Sequence, residues 1–190
     1  MSQFGIDNFV YEFFNRKPGF YIEAGGSDPV DQNNTHFLSN HGWSGLIIEP
    51  NPEYNNQYLT RKKCIVENFA LVSPAYPHSD ISGNFFSRHV GGCTDGHPKT
   101  DTVPAITLEK LLVKHNIYEI DFFSLDVEGY EKEVLEGINF NLFLVKLMII
   151  EWHYDDKYFL NDNLLDNFIY YGEIAGGHNS IYVNRRLNAN

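Results

Sequence analysis

Glu23, Glu49, Asp126 and Glu151 share a context. Each directly follows a short apolar run: Phe20-Tyr21-Ile22, Leu46-Ile47-Ile48, Phe122-Phe123-Ser124-Leu125 and Met148-Ile149-Ile150. Runs of this length and type read as buried strands, so the four acids stand at strand ends. One carboxylate at the end of a buried strand means little. Four on an otherwise apolar scaffold describe an acidic cleft that suits a cationic ligand. Two of the acids lead into glycines, in Glu23-Ala24-Gly25-Gly26 and Asp126-Val127-Glu128-Gly129. Glycine after a strand lets the backbone approach a ligand where a Cβ would collide. His153 lies just beyond Glu151, and imidazoles titrate near neutrality, so Asp126, Glu151 and His153 are candidate bases.

Other chemistries fail on spacing. Gly25-Gly26 does not fit G-x-G-x-x-G, there is no phosphate-cradling G-x-x-x-x-G-K-[ST], and Glu23 and Asp28 would repel a pyrophosphate. His89, Cys93, Asp95 and His97 are metal-ligand types, but their spacing matches no closed site, and no metal is expected. S-adenosylmethionine fits the acidic pattern: it carries an ammonium, a sulfonium and a ribose diol, and no phosphate. Glu49, roughly 25 residues after the glycines, is where a carboxylate would accept both ribose hydroxyls.

The elements that position these residues can be read from periodicity. Helices are expected over 4–16, 33–40, 52–59, 107–114 and 130–137, and strands over 20–22, 46–49, 64–66, 120–125, 145–150, 168–174 and 178–183. Strands alternating with helices argue for a parallel sheet covered on both faces. The last two strands, joined through Gly176-Gly177, are too close for a crossover helix and should form an antiparallel hairpin at one edge. Residues 74–100 hold three prolines and four glycines and read as a long loop, with a hairpin as an alternative within it, and as a lid or acceptor-binding segment with Phe85, Phe86 and Arg88 among its contacts.

Length and composition agree. The 190 residues fit a single domain, 1–190, with an N-terminal helix inside 1–17. The net charge of −11 argues against nucleic acid and against an anionic membrane. Two cysteines, no basic and apolar leader and no apolar run of membrane length point to a soluble, cytoplasmic protein.

Several stretches resemble the FkbM-family methyltransferases, which use S-adenosylmethionine. They are Phe20-Tyr21-Ile22-Glu23-Ala24-Gly25-Gly26-Ser27-Asp28, Asn34-Thr35, Gly42-Trp43-Ser44-Gly45-Leu46-Ile47-Ile48-Glu49-Pro50-Asn51-Pro52, Asn68-Phe69-Ala70-Leu71, Thr107-Leu108, Ser124-Leu125-Asp126-Val127-Glu128-Gly129-Tyr130-Glu131 and Ile149-Ile150-Glu151. Gly26 departs from the asparagine that members often carry, and 74–100 matches nothing in the family pattern. The resemblance implies a Rossmann-like class I methyltransferase fold, with a mostly parallel seven-stranded sheet and a C-terminal antiparallel hairpin. It implies O-methylation of a hydroxyl on a carbohydrate or similar small polyol. Glu23, Gly25 and Gly26 would line the methionine part of the cofactor, with Asn34 and Thr35 nearby. Glu49 and Pro50 would hold the ribose, Asn68 and Ala70 would border the adenine, and Asp126 would face the reacting centre. The rival reading is a catalytically inactive cofactor-binding scaffold; the intact acidic strand ends favour an enzyme.

Overall fold

The computed structural model describes residues 2–86, 101–152, 166–174 and 178–188. Its main sheet has seven strands: β1 (Phe20–Ala24), β2 (Ser44–Ile48), β3 (Cys64–Glu67), β7 (Glu119–Leu125), β8 (Leu144–Glu151), β9 (Phe168–Ile174) and β10 (Asn179–Asn184). Their order is β3-β2-β1-β7-β8-β10-β9. The first five run parallel, and β10 pairs antiparallel with both β8 and β9. This is the Rossmann-like, mostly parallel sheet with a C-terminal antiparallel hairpin that was expected. The chain steps outward from β1 to β2 and β3, then returns to β7 on the other side of β1. The strand order therefore reverses between β1 and β7, where open α/β sheets form their ligand crevice.

Helices cover both faces. Ile22, Leu46, Phe123, Leu125, Met148 and Ile150 pack against α4 (Leu108–Lys114) and α5 (Glu131–Glu136). Tyr21, Ile47, Phe122, Leu147, Ile149 and Ile181 pack against α1 (Ile6–Phe13), α2 (His36–Asn40) and α3 (Pro52–Tyr58). Alternation along each strand sorts the side chains into these two layers.

Three expectations are corrected. The first helix is shorter than 4–16: a 3₁₀ turn (Gln3–Gly5) precedes α1, and Asn15 and Arg16 turn left-handed after it. α2 begins at His36 rather than at residue 33, because Asn33, Asn34 and Thr35 bond Glu23 and its surroundings. Residues 74–100 are not all loop. β5 (Asp80–Gly83) lies among them and pairs antiparallel with β6 (Asp101–Ile106), which also pairs with β4 (Ala70–Leu71) in a separate three-stranded sheet. Ala70, Val72, Ile81, Phe85 and Val103 give that sheet its own small apolar cluster. Arg88, His89, Cys93, Asp95 and His97 lie outside the described residues, as does His153.

Candidate active site

The four acids end their strands on one pleat face. Glu23 follows Tyr21 at an interval of two on β1, Glu49 follows Ile47 at the end of β2, Asp126 follows Phe122 and Ser124 at the end of β7, and Glu151 follows Leu147 and Ile149 on β8. All point to the α1–α3 side of the sheet. The ladder continues through these ends: Gly25 N–H donates to Ile48 O (3.0 Å), Asp126 N–H to Ala24 O (3.1 Å) and Glu49 N–H to Glu67 O (3.1 Å). Glu49, Asp126 and Glu151 are thereby brought level, and Glu23 lies two residues lower, level with Ile47, Ser124 and Ile149.

They are not equally available. Glu23 is buried and fully engaged: it accepts from Asn34 N–H (2.9 Å), Asn33 Nδ2 (3.0 Å) and the Thr35 hydroxyl, and it pairs with the Arg61 guanidinium at 3.9 Å. Arg61 in turn donates to Thr35 Oγ1 (2.8 Å), Asn33 Oδ1 (3.0 Å) and Pro29 O (2.5 Å), and lies over the Tyr58 ring. Burial pushes the Glu23 carboxyl above the usual range, and Arg61 and the three donors pull it back. Glu23 and Thr35 thus form a post beneath the end of β1. Asn33, Tyr58 and Arg61, which complete it, carry no signal in the sequence, because Arg61 lies 38 positions from Glu23.

Gly25 and Gly26 serve packing within the protein. At Gly25, with φ +79°, a Cβ would stand 1.6 Å from Asp126 O; at Gly26 it would meet Tyr58 Oη at 2.6 Å. The space a Cβ would need at both glycines is taken up by close approach between β1, β7 and α3.

Glu49 is buried at the end of β2, and Oε1 and Oε2 accept from Asn51 N–H and Ser27 N–H, both at 2.8 Å. A carboxylate oxygen has two lone pairs, so each retains one acceptor position. Burial raises this carboxyl to about 7, against the two N–H donors. Asn68 Nδ2 donates to the carbonyls of Glu49 (2.8 Å) and Pro50 (2.7 Å), so Asn68 braces the turn that presents Glu49. Ala70 is buried in the small sheet.

Asp126 and Glu151 lie side by side. The register of β7 and β8 places Leu125 opposite Ile150, and the next residues are the two acids, neighbours on one pleat face. Asp126 as a residue is half-buried, but its carboxyl is enclosed, and Oδ1 has no hydrogen-bond partner among the described residues. Burial, then Glu151, Glu128 and Glu131, hold this carboxyl well above its ordinary range. Glu131, at the start of α5, accepts from Val127 N–H (3.0 Å) and Gly129 N–H (3.1 Å) and so fixes the turn after Asp126. Asn34 also reaches this face: its Nδ2 donates to Ser124 Oγ (3.1 Å), while its buried Oδ1 has no partner among the described residues.

The model of the FkbM methyltransferase domain matches residues 23–175. The chain belongs to the FkbM family. The match spans all four strand-end acids of this methyltransferase domain. A search of curated proteins gives no match. Within the FkbM domain, the unfilled acceptor positions on Glu49 and the partnerless oxygens of Asp126 and Asn34 suit a ligand that is cationic and rich in donors. That is the chemistry of S-adenosylmethionine, and it is the reverse of a phosphate site. Among the described residues no cluster of three or more His, Cys, Asp or Glu side chains could hold a metal ion, and no helix is long and apolar enough to cross a membrane.

Proposed function

We propose that this FkbM methyltransferase is an S-adenosylmethionine-dependent O-methyltransferase of the cytoplasm, folded as one domain and acting on a hydroxyl of a carbohydrate or similar small polyol. The observation that carries the reading is the row of carboxyls on one pleat face at the β1/β7 reversal, with acceptor atoms left open. Glu49, presented by Pro50, Asn51 and Asn68, would take the ribose hydroxyls. Asn34 and Asp126 would face the cofactor's charged end, on the platform that Glu23, Thr35, Gly25 and Gly26 hold in place. Asn68 and Ala70 border the adenine side.

When bound, the cofactor supplies a methyl carbon whose bond to sulfur breaks as the acceptor oxygen's electron pair forms the new C–O bond, the sulfur keeping the old pair. The protein has to hold a hydroxyl about 3 Å from that carbon and accept its proton. The net charge of −11 favours neutral acceptors over nucleic acid or anionic lipid.

Calorimetry with S-adenosylmethionine tests the cofactor, and methyl transfer from labelled cofactor to a panel of neutral monosaccharides tests the acceptor class. Binding together with label on a sugar oxygen is the expected result. Binding without transfer to any hydroxyl compound favours the inactive scaffold, and no binding overturns the reading.

A further inference from the structure

We infer that Asp126 and Glu151 share a single proton, with Asp126 holding it and Glu151 acting as the charged base toward the acceptor hydroxyl. The inference rests on the methyltransferase reading for its catalytic half only.

An ionised carboxylate is an acceptor and nothing else, so two carboxyls side by side can bond only if one carries a proton. The strand register fixes this pair: Leu125 stands opposite Ile150, and β7 and β8 deliver the next side chains to the same pleat face. Moving them apart would mean breaking the ladder, which Asp126 N–H extends to Ala24 O.

Burial decides which carboxyl keeps the proton. The Asp126 Oδ1 is shut off from solvent and lacks any partner among the described residues, whereas Glu151 at the strand end is only partly buried. A charge is cheaper where water reaches it. The acids around Asp126 act in the same direction: Glu151 from β8, Glu128 from the turn and Glu131 from α5 all disfavour a second negative charge there.

The division of labour follows. A proton donated by Asp126 orients the Glu151 carboxylate. Glu151 takes the acceptor's proton as the C–O bond forms and returns it to solvent. Glu151 is then the catalytic residue and Asp126 a positioning residue.

The test uses the full chain with aspartate labelled at the carboxyl carbon, so that Glu23 and Glu49 are silent. The Asp126 signal is the one absent from Asp126→Asn. It is expected to titrate well above the ordinary aspartates, and its midpoint to fall in Glu151→Gln. Titration with the ordinary aspartates, or a midpoint unmoved by Glu151→Gln, overturns the shared proton. Both readouts are free of cofactor, so a failure to bind S-adenosylmethionine would sink the methyltransferase reading and leave this one standing. In methyl transfer to the monosaccharide panel, Glu151→Gln should lose about 10²-fold or more at every pH. Asp126→Asn should lose about tenfold or less, and its pH profile should change shape. The opposite ranking makes Asp126 the base.

Discussion

The Cβ that Gly25 lacks would stand 1.6 Å from the carbonyl oxygen of Asp126. That oxygen is backbone and cannot swing aside, so any side chain at residue 25 must push the ends of β1 and β7 apart. Gly5 provides a control, since its φ of +76° is similarly left-handed and nothing lies within 4 Å of its missing Cβ. Gly5→Ala should cost about 1–2 kcal/mol, the conformational term alone. Gly25→Ala should cost more than about 4 kcal/mol or prevent folding. Urea denaturation of both variants measures the difference. Equal costs would show that the two strand ends part freely.

The second expectation concerns the post beneath β1. Removing Arg61 leaves Glu23 buried with its three donors and no cation. Arg61→Met should cost about 3–5 kcal/mol, the usual scale for an orphaned buried charge. Adding Glu23→Gln should recover part of that loss. Strictly additive effects in a double-mutant cycle would mean that the pair at 3.9 Å contributes nothing of its own.

Glu49 should make cofactor binding depend on pH. Its carboxyl titrates at about 7 in the free protein. Ribose hydroxyls donate to the charged form and would lower that value, so binding should release a proton near neutrality. Affinity for S-adenosylmethionine should tighten as pH rises from about 6 to 8 and level off above. Calorimetry in buffers of different ionisation enthalpy reads the released proton directly. Glu49→Gln should abolish the release and weaken binding at least tenfold, given about 1.5–3 kcal/mol for each charge-assisted bond. Release that persists in Glu49→Gln would move the effect to another group.

The free protein should lose stability as pH rises. Glu23, Glu49 and Asp126 all bind their protons more tightly folded than unfolded. Between their unfolded values near 4 and their raised folded values, the native state holds protons that the unfolded chain has released, and stability falls with increasing pH. Glu67 works the other way. Burial raises its carboxyl, but Lys114 and His115 outweigh that and hold it below the ordinary value, so its contribution is lost in acid. The melting temperature should peak near about pH 5 and decline toward pH 8. A flat profile over that range would mean that the three carboxyls are ionised throughout.

Much of this was legible in the sequence for a simple reason. Buried parallel strands are continuous apolar runs, so an acid that ends one is conspicuous, and Glu49, Asp126 and Glu151 stand where such reasoning places them. The hairpin was legible from the short connection through Gly176-Gly177. Glu23 was legible at its strand end, but what engages it was not, because Asn33 and Arg61 are distant in sequence. The small sheet was hidden by its own composition. β4 is two residues long, and β6 carries Pro104 while pairing on both sides, a placement that proline argues against. The glycines were legible as positions with no room for a Cβ, but not the neighbours that take that room, the carbonyl of Asp126 and the hydroxyl of Tyr58.

The position of β10 bears on how the chain is made. A ribosome delivers β9 before β10, yet β10 lies between β9 and β8. While residues 179–184 are still unsynthesised, the edge of β8, among the most apolar strands in the protein, has no partner, and β9 has nothing to dock on. All six residues of β10 are buried once it arrives. The nascent chain therefore carries an open, sticky sheet edge until β10 emerges, and protection of that edge during translation falls to chaperones or to the speed of elongation.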